Sequence, residues 1–314
     1  MFDGDKTAIE REDRKYACSY QELRQVAERH KYEYRVQPDM DHVGNKITAM
    51  VGKDKRVLEI GAGPGSITRL LVEGAGCDVT ALEYDREALE KLSLITEKAY
   101  FGDLNRGDWY KGLPEGEEYD VVVAADVLEH LPDPWSVLRD IRGLIKESGY
   151  AVISLPHVSH KAVIAAMAAG EFPYGVWGLL DRTHLRFFGL RDMVSLFRDT
   201  GWVVRQVDFV IKSPEQTEFA KYWRRAPKAL RVALDQTAFG NVYQVVVKLE
   251  KATTNKIGID LEAANLPAPG PTIPKRAPLK RKLVIAVKMI GRRMLSQKTL
   301  SKISSFLTRY GIRI

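Results

Sequence analysis

The chain has 314 residues, 45% of them hydrophobic and 28% charged, which suffices for one sizeable α/β domain with an extension or for two small domains. Its formal charge of +7 is unevenly placed: 12 Lys and Arg but no Asp or Glu follow Glu262, so residues 1–262 carry 36 basic against 41 acidic side chains, a net −5. An acidic body argues against nucleic acid as a partner, because phosphate neutralisation needs clustered cations on the folded surface; the absence of any uncharged apolar run of about 18 residues argues against a membrane-spanning helix.

In chain order, the first fifteen residues are too charged for a secretory signal. Cys18 and Cys77 stand in no metal or redox spacing, so a reducing, cytoplasmic setting is expected. Residues 14–50 read as helical and polar. From 51 to 155, short apolar β-branched runs alternate with helical patterns, the signature of a parallel α/β sheet. Strands are predicted at Arg56–Ile60, Asp78–Leu82, Lys98–Phe101, Tyr119–Ala125 and Tyr150–Leu155, and helices at Ser66–Glu73, Arg86–Leu92 and Pro134–Ile145, the last stopped by Gly149. A helix at Lys161–Ala169, a loop rich in Gly, Pro and aromatics, and a helix at Leu190–Asp199 follow. Two further strands, Trp202–Ile211 and Asn241–Glu250, flank a helical stretch and suit an antiparallel edge pair. The expected division is an N-terminal helical segment (1–50), a catalytic domain (51–250), a Pro- and Ala-rich linker (251–280) and a basic tail (281–314). Leu283, Val287, Ile290 and Met294, then Leu300, Ile303 and Leu307, make apolar stripes flanked by Lys and Arg, an amphipathic helix suited to peripheral contact with an anionic membrane surface.

The chemistry gathers at strand ends. Arg56–Ile60 runs into Gly61-Ala62-Gly63-Pro64-Gly65-Ser66, a turn whose glycines let backbone approach a ligand without a Cβ in the way. Such a turn alone also fits a dinucleotide site or an ordinary tight turn. Glu59, just before it, suits a cationic amino-acid ligand better than a pyrophosphate. Glu83 closes the second strand 22 residues after Gly61, where a carboxylate accepts from ribose hydroxyls. Asp103, in Phe101-Gly102-Asp103-Leu104, stands where it would accept from an exocyclic adenine amine. Asp126, Glu129 and His130 follow the fourth strand. No group of residues has metal-ligand spacing, so no metal is expected.

These features in this order, with Leu128-Glu129-His130-Leu131-Pro132-Asp133-Pro134 after strand four, resemble the class I S-adenosylmethionine-dependent methyltransferases over roughly residues 32–250. The resemblance implies an α/β fold with a seven-stranded, mostly parallel Rossmann-like sheet, helices on both faces, and S-adenosyl-L-methionine as cofactor. Gly61, Gly63 and Gly65 would pass beneath its methionine part, Glu83 would hold the ribose, Asp103 the adenine, and Asp126 would sit near the methionine end. Glu59, Ala62, Tyr84, Leu104 and Ala125 complete the expected cofactor set. Tyr32-Glu33-Tyr34-Arg35 is similar to a segment of methyltransferases associated with glycan biosynthesis, which would lay Tyr34 over the cofactor carboxylate; packing of a helix-terminal Tyr on the sheet is the alternative. Asp181-Arg182-Thr183-His184-Leu185-Arg186-Phe187-Phe188 resembles a run in the same group. It makes His184 a candidate general base, with His157 and Asp126 as further catalytic candidates; His160 is also expected to face the site. An Asp181–Arg186 ion pair that fixes the loop is the structural alternative, and His130 is expected to brace the following helix. Phe172, Tyr174, Trp177, Tyr222 and Trp223 are candidates for contact with a sugar or a flat ring. The implied acceptor is a small molecule, a saccharide or a lipid-linked glycan. A quinone or lipid methyltransferase is the alternative within enzymes, and a non-catalytic cofactor-binding partner protein is the alternative outside them.

Overall fold

A computed structural model describes residues 41–253, 258–261 and 264. Tyr34, Cys18 and the whole tail 281–314 lie outside the described residues. The chain divides into two units after Ala268, and every described residue belongs to the first.

That unit holds a seven-stranded sheet in the order β3-β2-β1-β4-β5-β7-β6. The strands are β1 (Arg56–Ile60), β2 (Asp78–Glu83), β3 (Ala99–Phe101), β4 (Tyr119–Ala125), β5 (Ile145–Pro156), β6 (Trp202–Ile211) and β7 (Val242–Lys251). β1 through β5 pair in parallel, and β7 runs antiparallel between β5 and β6. Side chains on a strand alternate between faces, and here both faces are apolar, as a sheet covered on both sides requires. Val57, Val121 and Val123 meet Ile47, Ile67, Leu71 and Leu92 on one face, whereas Leu58, Val122 and Ala124 meet Leu138, Ile141, Met193 and Phe197 on the other. The first face is covered by α1 (Val43–Val51), α2 (Ser66–Arg69, continued by a π turn Leu70–Gly74) and α3 (Arg86–Leu92). The second is covered by α4 (Pro134–Leu144) and α6 (Leu190–Asp199). Between them in sequence comes α5 (Lys161–Ala168), which packs with α7 (Ala220–Arg225) and α8 (Lys228–Asp235) in small apolar clusters of their own.

Three expectations change. Gly149 does not stop a helix: α4 ends at Leu144 and the chain enters β5 at once, with Gly149 inside a register shift against β4 where a Cβ would lie 2.1 Å from Ile145 Cγ2. The boundary at 50 cuts through α1, whose Ile47 and Val51 are fully buried in the sheet core. The boundary at 250 falls short too, since the Ile259 amide donates to the Val204 carbonyl and Leu261 is fully buried against the second face. No helix among the described residues is long and apolar enough to cross a membrane.

His157 and His160 are buried in this scaffold. His160 Nδ1 accepts from the Ala162 amide at the start of α5, and Nε2 lies 2.8 Å from the Lys212 carbonyl. The ring is therefore neutral, with its proton on Nε2, and burial first, against the Lys212 carbonyl bond, lowers its pKa to about 4. The folded pKa lies below the unfolded value, so this stability is complete above pH 6.5 and fades as the pH falls toward 4. The stability advantage of the wild type over His160→Asn should shrink across that window by up to about 3 kcal/mol, a difference in which the titration of other groups cancels. Urea unfolding of both proteins between pH 7.5 and 4 measures it; a constant difference would show that His160 does not fold neutral.

Candidate functional site

A cavity of about 1200 Å³ opens at the carboxyl ends of β1, β2, β3 and β4. Open α/β sheets bind ligands at this place, and a drug-sized ligand occupies roughly 300–1,000 Å³, so the cavity has room for a second small molecule. Its walls include Glu59, Gly61, Ala62, Gly63, Glu83, Tyr84, Asp103, Leu104, Ala125, Asp126 and His184 of the residues expected from sequence. Two do not reach it. His157 turns its Nδ1 to the Val242 carbonyl, 3.2 Å away, because the chain leaving β5 pairs against β7. Gly65 does not line the cavity: at φ +87° a Cβ would lie 2.4 Å from Ile95 Cδ1, so this glycine seats α2 against the segment after α3. His160 likewise faces backbone.

At one end, the sheet presents two carboxylates to the glycine turn. Glu83 Oε2 accepts from the Gly63 amide at 2.6 Å, and Oε1 accepts from the Tyr84 and Asp85 amides at 2.8 and 2.7 Å. The residue that faces the cavity thus also fixes the turn. Glu59 is fully buried; Thr68 Oγ1 donates to its Oε2 at 2.7 Å, and burial pushes its pKa up to about 8. Burial favours its neutral form, and a cationic group placed beside it would restore the anion. Gly61 takes φ +64° and lets the turn close to within contact of Val127. Asp103 Oδ1 accepts from the amide and the side chain of Asn105. Tyr84 is 65% exposed at the rim.

Beyond β4 the chain turns through Asp126, a non-glycine residue at φ +54°. Its carboxylate accepts from Ser154 Oγ and Gln244 Nε2 at 2.8 and 2.7 Å, and burial raises its pKa. Three strands, β4, β5 and β7, thereby meet at the cavity floor. A short 3₁₀ turn, Leu128–His130, follows. The Glu129 carbonyl accepts from the Leu185 and Arg186 amides at 2.8 and 3.0 Å, which docks the 179–186 loop on this turn. Arg186 bonds the Pro132 carbonyl and its guanidinium lies 5.8 Å from the Trp135 ring centroid. Asp181 accepts from the amide and hydroxyl of Thr183. The expected Asp181–Arg186 pair is therefore replaced by contacts of each residue elsewhere. His130 does not brace α4, which Asp133 caps; its Nδ1 lies 3.1 Å from the Thr183 carbonyl and its ring meets that of His184 edge-on at 4.8 Å.

Sequence reasoning named Glu129 only as part of a motif. In the structure its carboxylate is 1% exposed, and neither oxygen accepts a hydrogen bond. Burial, and after it the charge of Asp126, holds its pKa well above the ordinary carboxylate range. His184 Nδ1 lies 3.2 Å from the Leu179 carbonyl and its Nε2 lies 3.9 Å from Glu129 Oε1. Lys212, Tyr243 and Gln244 also reach the cavity and had no signal in the sequence beyond their strands. Of the five aromatics, Trp177 lines the cavity and is 55% exposed, whereas Tyr222 and Trp223 are buried in the helical clusters. Phe172 and Tyr174 pack on each other outside the lining, with centroids 5.0 Å apart.

A family model described as a methyltransferase domain matches residues 29–207. A ubiquinone biosynthesis O-methyltransferase of Aeromonas salmonicida is 26% identical over 184 residues, 57% of this chain and 75% of that protein. One of Psychrobacter arcticus is 30% identical over 177 residues, 53% of this chain and 65% of that protein. The solved CcbJ methyltransferase of Streptomyces caelestis is 15% identical, covering 73% of this chain and 96% of its own with a TM-score of 0.46.

Because Gly65 supports the turn from behind, Gly65→Ala should lower stability by about 1–3 kcal/mol through backbone strain. Ligand affinity of the folded fraction should stay near wild type. Chemical denaturation paired with calorimetry checks both; a large affinity loss at full stability would place Gly65 in the ligand wall after all.

Proposed function

This chain belongs to the methyltransferase-domain family and is an S-adenosylmethionine-dependent methyltransferase acting on a small-molecule acceptor; from that premise we propose that it methylates a hydroxyl on a ring-bearing acceptor. The observation that carries the reading is one cavity with two chemically different ends. The Glu59–Glu83 end offers what the cofactor requires. Glu83 has acceptor capacity left for ribose hydroxyls beside its three amides, Glu59 would face an ammonium, and Asp103 with Leu104 would border the adenine. The glycine turn supplies a close, Cβ-free wall under the methionine part. When bound, the cofactor supplies an electrophilic methyl group on a sulfonium.

The other end receives the acceptor. Glu129, His130 and His184 present Lewis-basic atoms there, and Trp177 stands on the wall as a flat face for a ring. A hydroxyl must lose its proton as it is methylated, and a basic cluster beside it serves that loss. The buried floor keeps water away and holds the two molecules in one orientation. The names of the two relatives favour a ring hydroxyl on a lipid-like acceptor, such as a quinone precursor. The second reading, a saccharide or lipid-linked glycan, rests on the 181–188 run, whose Asp181 and His184 line the same wall. Peripheral attachment through the basic tail remains a proposal from its sequence.

Calorimetry should show S-adenosylmethionine and S-adenosylhomocysteine binding, with no heat from NAD. Glu83→Ala should weaken both by roughly 1.5–3 kcal/mol and lower the melting temperature as well, since the carboxylate also holds Gly63. Unchanged affinity would move the ribose contact to another residue. His184→Ala should lower turnover roughly 10²–10⁴-fold with cofactor affinity intact. Labelled cofactor offered with polyprenyl phenols and, separately, with saccharide fractions identifies the acceptor; transfer only to nitrogen acceptors would sink the hydroxyl reading.

A further inference from the structure

We propose that Lys212 selects the acceptor, its ammonium holding a carboxylate on the molecule that receives the methyl group. The inference deepens the methyltransferase reading and rests on it for the identity of that molecule; the anion site itself follows from one wall of the cavity. Lys212 comes directly after β6, beside the first residues of the antiparallel β7. Its amide donates to the Asn241 carbonyl at 2.9 Å, and its own carbonyl accepts from His160 Nε2 at 2.8 Å, so the main chain is pinned on both sides. The half-buried side chain lines the cavity, with its ammonium 3.5 Å from the Tyr243 ring centroid. Among the described residues that ammonium makes no hydrogen bond and no ion pair.

The carboxylates whose field reaches Lys212 are those of Glu218, Asp126 and Asp41, and each is engaged by another group. Tyr243 Oη donates to the two Glu218 oxygens at 3.2 and 3.1 Å, and the Leu179 amide donates to Oε1 at 2.8 Å. Asp126 accepts from Ser154 and Gln244, and Asp41 pairs with Lys46 Nζ at 2.9 Å. Lys212 is therefore a partly desolvated cation with no counter-ion in contact. Burial lowers its pKa, and the three carboxylates oppose that shift. The ring contact also favours the charged form, because an aromatic face attracts an ammonium through its charge. Taking a cation from water without a partner is costly. An anion brought against it would recover that cost and raise its pKa again.

One ammonium matches one negative charge. A phosphate dianion would bring a second charge toward Asp126 and Glu218 and would call for further donors, whereas a carboxylate is answered by the single cation. Position assigns the carboxylate to the acceptor and not to the cofactor. Glu59, the glycine turn, Glu83 and Asp103 stand at the ends of β1, β2 and β3, and β7 and β6 lie beyond β4 and β5 in the sheet order. The frame that sets the ammonium also sets Trp177. Glu218, which holds Tyr243 Oη and the Leu179 amide, presses on Gly178, where φ is +96° and a Cβ would collide with Glu218 Oε1. Trp177 immediately precedes that glycine, so a flat face and a cation are held by one set of bonds. An acceptor that carries both a ring hydroxyl and a carboxylate meets both.

The test uses the full chain, with and without saturating S-adenosylhomocysteine, titrated by calorimetry with 3,4-dihydroxybenzoate and separately with catechol. The two probes share their ring hydroxyls and differ in the carboxylate. The expected result is that the acid binds at least about tenfold more tightly than catechol. Lys212→Met should abolish that difference and Lys212→Arg should retain most of it, with S-adenosylhomocysteine affinity at the wild-type level in both variants as evidence of folding. If Lys212→Met melts early, Lys212→Gln carries the same comparison. No binding of the acid, equal binding of the two probes, or a preference that survives loss of the ammonium overturns the proposal. So does a Lys212→Met protein with a wild-type melting curve that no longer binds S-adenosylhomocysteine, because the ammonium then belongs to the cofactor's own carboxylate. A preference for the acid that depends on Lys212, in a protein that ignores S-adenosylhomocysteine, would support the anion site while defeating the methyltransferase reading.

Discussion

β1 lies between β2 and β4, and the rest of the structure follows from that placement. The chain leaves β1 toward β2 and β3, then returns across the sheet to place β4 on the other side. Right-handed crossovers on opposite faces cannot both cover the ends of adjacent strands, so a crevice is left where the two directions part. Glu59 and the glycine turn stand at its centre, Glu83 and Asp103 on the β2–β3 side, and Asp126 and Glu129 on the β4 side. The antiparallel β7 closes the far wall, bringing Gln244 onto Asp126 and Tyr243 and Lys212 into the cavity.

Putting carboxylates at buried strand ends has a cost, and the structure meets it unequally. Glu83 is answered by three amides and Asp126 by a hydroxyl and a carboxamide. Glu59 has one hydroxyl, and Glu129 has no hydrogen bond. The better-answered pair does structural work at the same time, tying the glycine turn and three strands. The poorly answered pair is where a cationic ligand gains most, because a charge brought beside a desolvated carboxylate is screened little by water. Lys212, which lines the same cavity, has its ammonium 3.5 Å from the Tyr243 ring centroid, and burial lowers its pKa.

The β1–β3 end of the cavity was legible in the sequence, because most of the residues that line it are fixed by their own strands. A glycine turn after β1, a carboxylate ending β2 and an acid after β3 need only the strand pattern to be located. The end beyond β4 was not. Glu129 and His184 lie 55 positions apart, and nothing in their spacing says that one loop docks on the other's backbone. His157 and His160 stood in the right stretch, yet β7 and the start of α5 claim their ring nitrogens. Tyr222 and Trp223 stood beside Trp177 as candidates for ring contact, but a period of 3.6 cannot tell which small cluster a short helix fills. Gly149 was misread because a bulge and a helix stop use the same residue, and only the register against β4 separates them.

The two ends of the cavity carry opposite demands on charge. Under the proposed reading, the cofactor arrives with a sulfonium and an ammonium and leaves as a product whose sulfur is neutral. Glu59 faces the ammonium in both states, so it contributes affinity without favouring either. Only groups near the sulfur would distinguish them, and Asp126, if it stands at the methionine end as proposed, would act there with its oxygens already bonded by Ser154 and Gln244. Those two donors would moderate its pull on the sulfonium and limit how far the charged ground state is stabilised. Glu129 lies one turn further on, against His184 and away from the glycine turn. A proton held there would, under the same reading, offset the anion that an acceptor hydroxyl becomes. The fold thus leaves Glu129 without a hydrogen bond on the β4 side of the cavity, while the well-bonded Glu83 and Asp126 hold the frame.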